Sequence, residues 1–157
     1  MSVDFILLKS LSTLNDPVNG TTNPKAIPGA QVLYALDLSN EGSGSPDADT
    51  VFLEDAIPTN SALYVDDIDV PGSGPVLFTD GAIASGLAYT FTSLASATDD
   101  IDFSDDDGAT WTYTPTIGGN GCDSDVTDIR INPQGTMNGA SGGDNPSFDL
   151  KFKVRVD

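Results

Sequence analysis

"SFDLKFKVRVD", residues 147–157, alternates apolar and polar side chains almost without a break. Phe148, Leu150, Phe152, Val154 and Val156 fall on one face, and Asp149, Lys151, Lys153 and Arg155 on the other. In a strand, successive side chains point to opposite faces, so this segment predicts a β-strand with one buried face and one wet face. The wet face holds three of the chain's six basic residues, which should sit against acidic neighbours.

The same period of two recurs upstream. "QVLYALDLSN" (31–40) spaces Val32, Tyr34, Leu36 and Leu38 two apart, with Asn40 and Gly42 closing the run by tolerating left-handed backbone. "TVFLEDAIP", "ALYVDDIDVPG", "PVLFTDG", "GLAYTFTSL" and "DVTDIRINP" follow the same rule, each bounded by Gly, Pro, Asn or Asp. No stretch sustains the i, i+3, i+4, i+7 spacing of a helix. About eight to ten short strands between turn signals predict an all-β fold, an antiparallel β-sandwich, and no linker or internal repeat divides residues 1–157. Pro28-Gly29 presets a type II turn before the strand at Gln31. Pro58, which has no N–H to donate, stops pairing after Ile57.

The first predicted strand departs from this pattern. In "VDFILLKSL" (3–11), Val3, Phe5 and Leu7 make one face apolar, while Ile6 and Leu8 make the other apolar too. Such a strand is either central in its own sheet or, as residues 2–11, donated to another molecule. Both readings stay open at this stage.

Composition narrows the function classes. The net charge is −18, built from 22 Asp and only 2 Glu (Glu41 and Glu54). Asp favours turns and is a compact ligand for hard cations, so the bias points to acidic loops and to calcium. Nucleic acid and anionic membranes are expected to be repelled. No apolar run reaches transmembrane length, and "MSVDFILLKS" lacks the basic start and cleavage site of a signal peptide; it reads as a mature start behind an added Met. The composition suggests a secreted, extracellular or cell-surface setting. The single Cys122 makes no internal disulfide and reads as incidental or as an intermolecular partner.

"LLKSL", "IPGA", "YALDLSNEG" and "FLEDAIP" follow one another within residues 7–58. This order resembles the conserved-repeat domains of bacterial surface proteins, and more closely the small, Asp-rich, single-domain secreted members of that group. The likeness continues through "GSGPVLFTDG", "VTDIRINPQGTM" and "FKVRV", and so covers nearly the whole chain. It implies an immunoglobulin-like sandwich and carries no catalytic signature. Cys122, in "GGNGCDSD", departs from the pattern.

Candidate chemistry centres on "DDIDFSDDDGATWTY" (99–113), which puts Asp99, Asp100, Asp102, Asp105, Asp106 and Asp107 into nine positions. Asp107-Gly108 is a hairpin-turn signal between two alternating runs. It would bring Trp111 and Tyr113 into register with Phe103 and Ile101, all four facing the core. Crowding the other aspartates costs on the order of 1 kcal/mol per near pair, which a divalent cation would relieve. An EF-hand frame fails, because Phe103 and Thr114 would take the first and twelfth ligand positions. A calcium site would therefore be assembled from several loops, with Asp47 and Asp49, Asp66, Asp67 and Asp69, and Asp123 and Asp125 as further ligands.

Enzyme chemistry is not expected. The chain has no His for a Ser-His or Cys-His pair, and a two-carboxylate glycosidase needs one carboxyl in an apolar pocket, whereas these aspartates read as turn residues. The expected function is an extracellular structural subunit, stabilised by calcium, that assembles with copies of itself by donating a strand through Val3, Phe5, Ile6, Leu7 and Leu8. The absence of a predicted anchor or companion domain favours assembly. The alternative is a secreted adhesion module that recognises glycan or protein through its loops.

Overall fold

A computed structural model describes residues 1–157 and shows an all-β chain of eleven strands with no helix. The strands are β1 (Phe5–Asn15), β2 (Gln31–Asn40), β3 (Leu53–Ala56), β4 (Ser61–Tyr64) and β5 (Val76–Asp80). They continue with β6 (Leu87–Ala88), β7 (Ile101–Ser104), β8 (Cys122–Asp123), β9 (Asp128–Ile131), β10 (Gln134–Gly135) and β11 (Ser147–Val156).

β11 is the hub. One of its edges pairs antiparallel with β2 from Ser147–Ser39 to Arg155–Gln31. Its other edge is shared, with Phe148–Phe152 pairing with β5 and Val154–Val156 with β4. The resulting sheet runs β1-β2-β11-β4-β8, with β5 beside β4 along β11. A second sheet, β3-β9-β7, is also antiparallel, and β6 and β10 form a short ribbon.

Both sheets feed one apolar cluster, in a sandwich-like arrangement. Val32, Leu36 and Leu38 of β2 and Phe148, Leu150, Phe152 and Val154 of β11 meet Leu53, Ile101, Phe103, Ile129 and Ile131 from the smaller sheet. The alternation of the last segment is thus borne out up to Val154; Val156 is only half-buried. On the wet face Lys151 pairs with Asp149 at 3.0 Å and Arg155 with Asp157 at 2.7 Å. Lys153 instead lies 3.9 Å over the Tyr64 ring.

Two turn expectations differ in outcome. Ala30 N–H donates to the Ile27 carbonyl, and Gly29 takes φ 88°, the geometry foreseen for Pro28-Gly29. Asn40, by contrast, ends β2 through its side chain rather than a left-handed backbone. Its buried amide donates to the carbonyls of Gly44 and Asn138 and accepts from Asp4 N–H and Gly42 N–H.

The hairpin across Asp107-Gly108 is corrected in part. Both residues take positive φ, 57° and 75°, as a tight hairpin tip requires. Yet only the single bridge Phe103–Tyr113 joins the arms, and β7 pairs with β9 instead. Asp106 accepts from Thr110 N–H and Oγ1–H and from Ser104 Oγ–H, which winds residues 104–110 into a loop and holds them off the ladder. Ile101 and Phe103 are therefore core, whereas Trp111 and Tyr113 are half-buried. The guanidinium of Arg130 stacks on the Trp111 ring at 4.7 Å and bonds Asp102 at 2.8 Å. In "GLAYTFTSL" only Leu87–Ala88 is strand.

Truncation should separate these two environments. Phe152 is fully buried and stacked on Tyr34, so Phe152→Ala should cost about 3–5 kcal/mol by urea denaturation. Trp111→Ala, at the rim, should cost less than half as much.

Candidate functional site

Two features were singled out as functional, the aspartate clusters and the first strand. Seven of the thirteen candidate aspartates accept backbone N–H groups of nearby loops. Asp67 takes those of Gly72 and Gly74, Asp99 those of Thr92 and Ser93, and Asp100 that of Thr90. Asp106 accepts from Thr110, Asp123 from Thr116 and Asp125, Asp66 from Asp67, and Asp49 from Gly135. Asp102 is held by Arg130, and the carboxylates of Asp47, Asp69, Asp105, Asp107 and Asp125 are exposed.

Asp16, which the sequence reading passed over, belongs to the same class. It is buried and accepts from the N–H groups of Val18, Asn19 and Lys25 and from the Asn19 amide. Its Asn-Asp-Pro setting was the available signal, since Asp readily bonds backbone two or three residues on.

These bonds set the acidities. The backbone and side chain of Asn19 hold Asp16 well below the usual carboxylate range. The N–H groups of Gly72 and Gly74 lower Asp67, and the Thr110 N–H lowers Asp106. Asp100 is the exception among carboxylates, because burial pushes it up, helped by the charges of Asp99 and Asp49. That makes it a buried carboxyl rather than the water-facing turn residue expected.

The structure gathers no group of three or more Asp, Glu or Cys side chains around a common point. Spare ligand capacity lies at Asp99, whose Oδ1 is buried without a partner next to Asp100. Calcium there would draw most of its remaining ligands from carbonyls and water, as its flexible oxygen coordination allows. Cys122 is buried in β8, and burial raises its thiol pKa.

β1 is paired within its own chain, lying antiparallel on β2 from Phe5–Asn40 to Thr13–Val32, with a register shift before Asn15. It forms the edge of its sheet and is exposed along Phe5–Ser12. Val3, Phe5, Ile6, Leu7, Leu8 and Leu11 are all exposed large apolar residues. Beside the strand runs a groove of about 400 Å³, lined by Phe5 and Leu7, by Leu36 and Leu38, and by Val51–Leu53. Lys9 crosses to Asp55 at 2.6 Å and lies 4.9 Å over the Tyr34 ring.

A third feature was not foreseen. The segments Val65–Asp67, Phe91–Ala95 and Thr114–Ile117 line an open cleft of about 590 Å³. Its walls come from three segments spread over residues 65–117, which no local pattern reveals. No protein-family model, curated protein or solved structure matches the chain.

Acid should act through the loop aspartates. Asp16, Asp67 and Asp106 have lowered folded pKa values, so their stabilisation is present above about pH 4 and is lost as pH falls through those values. Asp100, raised, works in the opposite sense. The melting temperature should therefore fall as the pH drops below about 4. Asp16→Asn should melt lower at neutral pH and show a smaller acid-induced drop.

Proposed function

We propose that this chain is an extracellular structural protein, an immunoglobulin-like sandwich that joins copies of itself into a fibre or surface layer through β1. The observation that carries the reading is the exposure of β1, an eleven-residue edge strand with apolar side chains on both faces. Proteins that remain solitary usually guard such an edge with charge, proline or a covering segment. Donation here means exchange, in which β1 of one copy takes the place beside β2 of the next. Exchange reproduces the β1–β2 ladder, so it is close to neutral in free energy. The drive for assembly comes from new contacts between the joined copies that cover the apolar side chains left exposed beside β2. A strand given to one neighbour and received from another makes a head-to-tail contact that propagates.

Calcium is the proposed stabiliser, supported by the unpartnered buried oxygen of Asp99 beside Asp100 and by the aspartates that cap no backbone group. It would also reduce repulsion between copies carrying −18 each. The second reading, a secreted module that binds glycan or protein, is favoured by the loop cleft, where Phe91, Leu94 and Ile117 lie beside Asp66 and Asp67.

Negative-stain imaging of the full chain should show polymers that grow with calcium. Deleting residues 2–11 should leave a soluble sandwich that does not polymerise. A full-length chain that never polymerises at high concentration, with or without calcium, overturns the assembly reading. Chelation should lower the melting temperature by about 5–10 °C, taking a site filled at roughly 100 times its Kd. An unchanged melting curve together with no bound metal by elemental analysis removes calcium from the account.

A further inference from the structure

We infer that the free edge of β1 pairs antiparallel with the same edge of a second copy about a twofold axis, merging their two larger sheets. This goes beyond strand exchange and does not need it, because that edge stays open whichever copy's β2 the strand lies on.

The backbone fixes which groups are free. The carbonyls of Ser2 and Asp4 accept from Gly44 N–H and Glu41 N–H, both at 2.8 Å, on the β2 side. Backbone groups alternate along an antiparallel strand, so residues 6, 8 and 10 also face β2. Phe5, Leu7, Lys9 and Leu11 then turn their N–H and C=O groups outward, beyond the last strand of the sheet. Nothing guards this row: Phe5–Asn15 contains no proline and no acid, and its one charge, Lys9, is already held by Asp55. The irregularity that could twist the edge away lies at its far end, between Thr13 and Asn15.

Charge and area select a second copy as the occupant. The edge strand itself, Phe5–Asn15, carries Lys9 and no acid in a chain of net charge −18; of the acids that flank it, Asp55 is paired with Lys9, leaving Asp4 and Asp37. This edge is therefore where one such acidic molecule can approach another without strong like-charge repulsion. The competing edges, β3, β5, β7 and β8, are two to five residues long and each carries at least one acid. The exposed fractions of Val3, Phe5, Ile6, Leu7, Leu8 and Leu11 run from 39 to 62%. They amount to on the order of 500 Å² of side-chain surface, the size of the largest apolar patch on a typical monomer. Two copies carry about 1,000 Å² of it between them, so the surface available at the joint is of the size a specific interface requires. A register centred near Leu7 sets Lys9 beside the partner's Phe5, whereas one centred on Lys9 would oppose two ammonium groups and is disfavoured.

Sedimentation velocity on the full chain, across a concentration series in chelator and again in calcium, tests the pairing. The wild type should show a reversible dimer. Leu7→Pro removes one outward N–H without touching the β2 ladder, and Leu7→Lys places charge on the free edge. Each should weaken dimerisation at least tenfold while circular dichroism and the melting curve stay near wild type; Leu7→Lys decides the matter if the proline variant misfolds. A wild type that stays monomeric at all concentrations overturns the inference, as do folded variants that dimerise like wild type. A dimer without polymers counts against exchange alone, and a folded Leu7→Lys variant that still dimerises counts against edge pairing alone.

Discussion

The burial of one alternating row on β11 is the constraint on which the rest of the molecule depends. Phe148, Leu150, Phe152 and Val154 are each at most 1% exposed, and the strand that carries them bonds β2 on one edge and β5 and β4 on the other. A slip of one residue would turn this row to water and drive Asp149, Lys151 and Lys153 into the core. Burying such charges without partners costs several kcal/mol each, so a single register survives. Chain segments from residue 31 to residue 80 are aligned against this last strand, which places the contacts that define the fold far apart in sequence.

The aspartates solve a different problem. A chain with many short strands has many loops, and buried or half-buried loop backbone needs hydrogen-bond partners. Asp reaches the N–H groups two to nine residues along its own loop, as Asp16, Asp67 and Asp106 do. Such local side-chain bonds are a habit of the short carboxylate rather than the longer Glu. That accounts for much of the 22-to-2 preference for Asp over Glu without any metal. The loops are thereby ordered by charge-assisted bonds, at the cost of a large negative field.

β1 escapes both rules. Its inward row, Phe5, Leu7 and Leu11, stays exposed, with Phe5 and Leu7 meeting Val51–Leu53 only across a groove. Its outward row, Ile6 and Leu8, stands beside Ser39 and Asp37 with no layer above it. Apolar side chains on both faces of an unguarded edge are what a strand needs for contacts outside its own sandwich.

By itself the sequence determined the β class, the buried row of the last strand, the Pro28-Gly29 turn and the positive φ of Asp107 and Gly108. Each of these depends on residues within a few positions of one another, where side-chain period and backbone preference act directly. Tertiary structure alone decided that β7 pairs with β9 rather than with the Trp111 arm, and that β1 lies on β2 at an edge. It also decided that Asp100 is buried while Asp105 is not, and that three distant loops form a cleft. Those outcomes follow from which strands together cover the most apolar surface and satisfy the most backbone groups. That sum runs over pairs of segments far apart in the chain, and no local pattern contains it.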